Sequence, residues 1–128
     1  MTTAVVCTSL LAALLFGLGL NVSRVRNQST DQVPNRPDDP LFVAIRAHGN
    51  ATEYIPMLVI LMLLVGFRAP GGWAVALCVT VTAARFLHAF GVLAVGDMAQ
   101  KSILRHTGAI ATDIGGLALA AAAVISLV

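Results

Sequence analysis

Four long apolar runs divide this chain, and they restrict its fold more than any motif inside them. They cover Ala4 to Val22, Leu41 to Phe67, Trp73 to Val95 and Ile103 to Val128, each long enough for the ~20 residues that a membrane-spanning helix needs. Composition agrees: of 128 residues, 58% are hydrophobic and 11% charged, where a soluble domain carries roughly 25% charged. The sequence predicts an all-α integral membrane protein, with one domain over residues 1–128 folded as a bundle of four transmembrane helices.

Basic residues predict the orientation. They cluster after the first run (Arg24, Arg26, Arg36, Arg46) and at the start of the last (Lys101, Arg105), with Arg68 alone between the second and third. By the positive-inside rule the first and third connections are cytoplasmic and both termini lie on the other side. No basic residue precedes the first run and no small-residue cleavage pattern follows it, so it is expected to be an anchor and not a signal peptide. The net charge of +2 is this asymmetry; no nucleic-acid partner is expected. Cys7 and Cys78 lie inside apolar segments and read as small hydrophobes. His48, His88 and His106 have no metal-ligand spacing on one helix, so no metal site is expected.

Between the first two runs, Asn27 to Pro40 has the prolines and turn formers of a connector, and Asp38-Asp39-Pro40 reads as a helix start. Pro70-Gly71-Gly72 reads as a short turn before the interfacial Trp73. In the last run, the small-residue stretch from Gly115 to Ala123 suits close helix packing.

Polar side chains inside these runs are the candidate site. Arg46, Asn50 and Glu53 recur at i, i+4 and i+7, so one helical face carries all three, with His48 pointing roughly opposite. The third run holds Arg85 and His88 at i and i+3; the fourth opens with Arg105, and Arg24 closes the first. An arginine deep in an apolar run normally pairs with an acid. Glu53, the only acid within the second run, is its expected partner. Blander readings exist for each residue alone. Arg24, Arg26 and Lys101 can be topology anchors that snorkel to headgroups, Asn50 can bond a neighbouring backbone, and Arg85 with Glu53 can be a structural ion pair with His88 a satisfied polar residue. Convergence at one depth goes beyond these readings. A cluster of arginines with one glutamate suits a ligand bearing carboxylates and an amine.

The chain resembles the family of membrane-associated proteins in eicosanoid and glutathione metabolism (MAPEG), and its short bacterial branch in particular. Carrying the resemblance are Arg24-Val-Arg26, the string from Ala44 through Arg46, His48, Asn50 and Glu53 to Pro56, Arg85-Phe-Leu-His88, and Arg105. The resemblance implies a homotrimer in a bacterial inner membrane, with glutathione bound between subunits near the cytoplasmic face. It assigns Arg24, Arg46, Asn50, Glu53, Arg85 and His88 to holding glutathione, Arg46 with a structural role open to it, and Arg105 to stabilising the thiolate. The activity implied is that of a glutathione transferase or peroxidase acting on small lipophilic electrophiles or hydroperoxides that arrive from the bilayer. The alternative is a non-catalytic trimeric scaffold or lipid-binding member. Three positions depart from the pattern of several eukaryotic members: Gly49 replaces an arginine, Val92 a tyrosine and His106 a serine. A small four-helix multidrug transporter also suits the size, but is expected to carry an acid in its first helix. This chain has none between Met1 and Asp31.

Overall fold

The computed structural model describes residues 1–30, 33–68 and 71–126. Its regular elements are four helices: α1 (Thr2–Gln28), α2 (Pro40–Arg68), α3 (Gly72–Val95) and α4 (Ile103–Ile125). Each is long and apolar enough to cross a membrane. Pro70 in the expected α2–α3 turn and Val128 at the expected end of the fourth helix lie outside the described residues. α1 runs beyond its expected end at Arg24 to Gln28. Hydropathy marks where a helix leaves the hydrocarbon, and Arg26, Asn27 and Gln28 continue it into the headgroup layer.

Local signals account for the helix ends. Asp39 caps α2, its Oδ1 accepting from Leu41 N at 2.7 Å and Phe42 N at 3.4 Å, and Pro40 stands where the missing N–H costs nothing. α3 stops at Gly96, whose φ of 67° is left-handed. Ser102 caps α4 by accepting from Arg105 N at 3.2 Å. The two longer connections meet at one face of the bundle, where Met98 N donates to Pro37 O at 2.8 Å. We call it the connector face; the Thr2 end of α1, the Arg68 end of α2, the Gly72 end of α3 and the Ile125 end of α4 mark the other.

The core is aliphatic and small, with Leu11, Ala47, Ala51, Met62, Val81 and Leu119 among its buried members. Large exposed hydrophobics such as Phe16, Leu20, Phe67, Ile114 and Leu117 present the apolar surface a bilayer solvates. α3 packs most extensively on α4, and α1 on α2. The α3–α4 approach depends on glycines, two of which face backbone. A Cβ on Gly108 would come within 2.6 Å of His88 N, and one on Gly91 would meet the backbone of Arg105. Backbone cannot move aside as a side-chain tip can. Gly108→Ala is therefore expected to lower the melting temperature in detergent by several degrees, the effect of an overpacked core worth about 1–3 kcal/mol. Gly17→Ala, at a position with nothing within 4 Å, is the control and should show no loss; equal behaviour of the two would remove the close approach from the account of this fold.

Candidate functional site

Arg85 is the centre of the polar arrangement. Its side chain is 1% exposed, and it stands ten residues from the Val95 end of α3, about 15 Å along the helix at 1.5 Å per residue. That is roughly halfway through a ~30 Å hydrocarbon core. Its Nη2 donates to Asn50 Oδ1 at 2.7 Å, and its Cζ lies 5.0 Å from the centroid of the Tyr54 ring, within cation–π range. Nε and Nη1 are buried and have no hydrogen-bond partner.

The expected Arg85–Glu53 ion pair is not formed: among the described residues, the salt bridge is the exposed Arg36–Asp38 contact at 3.3 Å. Three residues along a helix rotate a side chain by 300°, so Asn50 and Glu53 differ by about 60° around α2. That is enough for Asn50 to face α3 while the exposed Glu53 turns into a groove beside α4.

His88 is buried and serves α4. Its Nδ1 lies 2.9 Å from the backbone oxygen of Arg105, and because a carbonyl only accepts, Nδ1 carries the proton in that bond. The contact sits beside the Gly108 approach, so His88 fixes the register of the two helices. Arg105 itself turns toward the α3–α4 connection. Nη2 donates to Gln100 O at 3.1 Å, and Nη1 to Met98 O at 3.4 Å and the Met98 sulfur at 3.8 Å. Its guanidinium clasps the segment that Pro37 holds from the other side. Lys101, Ser102, His106 and Thr107 line an open cavity of about 430 Å³ with it.

Arg24 and Arg46 are exposed and make no side-chain hydrogen bond or ion pair among the described residues. His48 points away from the stripe, as expected, and packs at Gly19 of α1. The structure thus joins Asn50 to Arg85 and His88 to the backbone of Arg105. It leaves Arg24, Arg46 and Glu53 on open surface. No three histidine, cysteine, aspartate or glutamate side chains among the described residues form a metal-binding group.

Two residues of this arrangement are absent from the sequence reading. Tyr54, the single tyrosine of the chain, carries Arg85 on its ring. Asp113, exposed on α4, lies with Glu53 and Tyr54 in a groove of about 490 Å³ between α2 and α4, whose other walls include Met57, Leu58, Leu61 and Leu117. Asp113 is the one acid of the fourth apolar run, a signal present in the sequence, since an ionisable group there costs about 2.5–3.5 kcal/mol on insertion scales and marks function by default.

The sequence pattern that defines the MAPEG family matches residues 4–125. The chain is also similar to the inner membrane protein YecN of Escherichia coli strain K12, with 36% identity over 81 residues, 62% of this chain and 62% of the relative. The protein of the same name from Escherichia coli O6:H1 matches with the same identity and coverage. The chain spans less than two thirds of the length of these curated relatives.

Proposed function

The chain belongs to the MAPEG family, and from that premise we propose that it is a glutathione-dependent transferase or peroxidase of a bacterial inner membrane, working on lipophilic electrophiles or hydroperoxides. The observation that carries this reading is the Asn50–Arg85 bond. Two residues assigned to glutathione, 35 positions apart, stand at 2.7 Å, and Arg85 keeps two buried donors without partners. A buried guanidinium in that state fits an acceptor brought by a ligand, and a tripeptide with two carboxylates has acceptors to offer. Glu53, on the same face of α2, suits its amino group. Arg24 and Arg46 have free guanidinium groups for the second carboxylate, Arg24 from a neighbouring subunit if the chain forms the homotrimer of this proposal.

Glutathione supplies the nucleophilic thiol. A free thiol has a pKa near ~8.5, so only a few per cent is thiolate at neutral pH. The role of Arg105 is to favour that anion, with about 1.36 kcal/mol for each unit of lowering. The cytoplasmic side is the connector face, where the basic residues other than Arg68 and Arg85 lie.

One observation favours the non-catalytic alternative, a scaffold or lipid-binding member. The Arg105 guanidinium is occupied by the carbonyls of Met98 and Gln100, so its charge already has a structural use. Calorimetric titration of the detergent-solubilised protein with glutathione, followed by ultraviolet difference absorbance of the thiolate, separates the readings. The enzyme reading expects saturable binding and a thiolate band at pH 7. Absence of binding sinks it; binding without the band leaves a glutathione-binding protein that does not activate the thiol.

A further inference from the structure

We propose that Tyr54 is a gate over Arg85: its ring shuts the buried guanidinium off from the open groove beside α2, and a ligand reaches the free donors only when that ring swings aside. The part of this inference that concerns glutathione rests on the function proposed above; the gate itself does not.

Arg85 is 1% exposed, and its Nε and Nη1 are buried without partners. A charge at that depth calls for an acceptor, and none can arrive unless a covering side chain moves. Two side chains touch the guanidinium. Asn50 holds Nη2 at 2.7 Å, so moving it breaks a hydrogen bond of the strong, charge-assisted kind. Tyr54 covers the group with its ring, whose centroid is 5.0 Å from Cζ, a contact that needs no directional bond. Of these three residues only Tyr54 lines the groove. The opposite flank of α3 is closed by backbone. A Cβ on Gly108 would come within 2.6 Å of His88 N and 2.9 Å of Ala84 O, so α4 lies directly on the turn of α3 that carries Arg85, and no ligand passes between them.

The backbone under Tyr54 is suited to movement. Pro56 lies inside α2 and has no N–H, so the carbonyl of Thr52 lacks its i+4 donor. The turn from Thr52 to Pro56, with Tyr54 at its centre, is therefore one helical bond short, and helices bend at such places. Gating motions in other proteins are absorbed by a few residues of this kind. Closed, the ring shields a charge from hydrocarbon. Open, it presents Nε and Nη1 to the groove, and a carboxylate that enters can bond them. The apparent affinity of such a ligand is scaled by the fraction of molecules whose ring is open.

Phenylglyoxal, an apolar dicarbonyl that adds to guanidinium groups, tests this on the full chain in an uncharged maltoside detergent, with the adduct on each arginine measured by mass spectrometry after digestion. In the parent, Arg85 should react far more slowly than the exposed Arg24. Tyr54→Ala should speed the reaction of Arg85 about ten-fold or more, as when a local closed state is removed, and leave Arg24 unchanged. Tyr54→Phe should match the parent, because the ring remains. Pro56→Ala restores the missing helical bond and should slow Arg85 several-fold, an effect that a packing role for Tyr54 does not produce. Arg85 reacting as fast as Arg24 in the parent, or at an unchanged rate in Tyr54→Ala, overturns the gate. So does a rate in Pro56→Ala equal to or above the parent's, which is the decisive measurement should Tyr54→Ala not fold. Saturating glutathione should protect Arg85 in the parent. If the tyrosine and proline results hold and that protection fails, the gate stands and the glutathione reading falls.

Discussion

Asn50→Leu is expected to lower the stability of the solubilised protein by about 3 kcal/mol, and a second substitution, Arg85→Met, to restore most of it. The Arg85 guanidinium is enclosed, and Asn50 Oδ1 is its one hydrogen-bond acceptor among the described residues. Deleting that acceptor leaves a buried charge with a π face and no oxygen, and a hydrogen bond to a charged group is worth about 1.5–3 kcal/mol before the cost of leaving the donor unpaired. Methionine in place of arginine removes the desolvated charge while keeping a long flexible side chain to fill the space. Replacing a buried ion by a packed hydrophobe is often neutral or stabilising. Arg85→Met alone should therefore change stability by less than about 1 kcal/mol, and the double mutant should sit well above the sum of the singles, with a coupling of about 2 kcal/mol or more. Denaturant titration of the four proteins in one detergent measures the cycle. Additive effects would mean that the 2.7 Å contact carries no free energy. The same set bears on function: Arg85→Met keeps the fold but should lose glutathione binding, which separates a ligand contact from a structural pair.

That the pair is Asn50–Arg85 and not Glu53–Arg85 shows where sequence reasoning runs out in this chain. The helical period places Asn50 and Glu53 on one stripe of α2, and hydrophobicity places Arg85 deep in α3. Choosing between acceptors about 60° apart requires knowing that α3 lies on one side of the stripe and α4 on the other. No periodicity within α2 contains that information. Helix number and type were legible for a different reason. Hydrocarbon demands about 20 apolar residues per crossing, and Asp39-Pro40 and Gly71-Gly72 punctuate the runs with turn and helix-start chemistry. The end of α1 was misplaced because the rule reads the membrane boundary, and a helix of polar residues passes through that boundary without any mark. The partners of Arg105 were not legible at all. They are backbone oxygens of Met98 and Gln100, and every residue type presents one. Asp113 was legible in kind, as a lone acid in an apolar run, but its neighbours Glu53 and Tyr54 come from a helix about 60 positions earlier.

Arg105→Ala is expected to cut turnover with a small electrophile by about 10²-fold or more, as when a preorganised electrostatic group is removed from a developing or stabilised anion. Glutathione should still bind, since the carboxylate and amine contacts belong to Asn50, Arg85 and Glu53. The thiol of bound glutathione should titrate closer to the ~8.5 of the free group, so the thiolate band of the variant should appear at higher pH than in the parent. The clasp on the α3–α4 connection makes a different demand. If Arg105 acts only through Met98 and Gln100, its loss should lower the melting temperature and loosen the contact between Met98 and Pro37, while the pH at which the band appears stays where it was. Arg105→Lys sharpens the contrast. Lysine restores a charge but not a planar fork, so it should recover part of the turnover if charge near the sulfur is what matters, yet bridge both carbonyls poorly. Partial recovery of rate with little recovery of melting temperature is the signature of the electrostatic role. The converse, recovered stability without rate, would assign Arg105 to the connection and direct the search for the thiolate partner to His106 and Thr107, which line the same cavity.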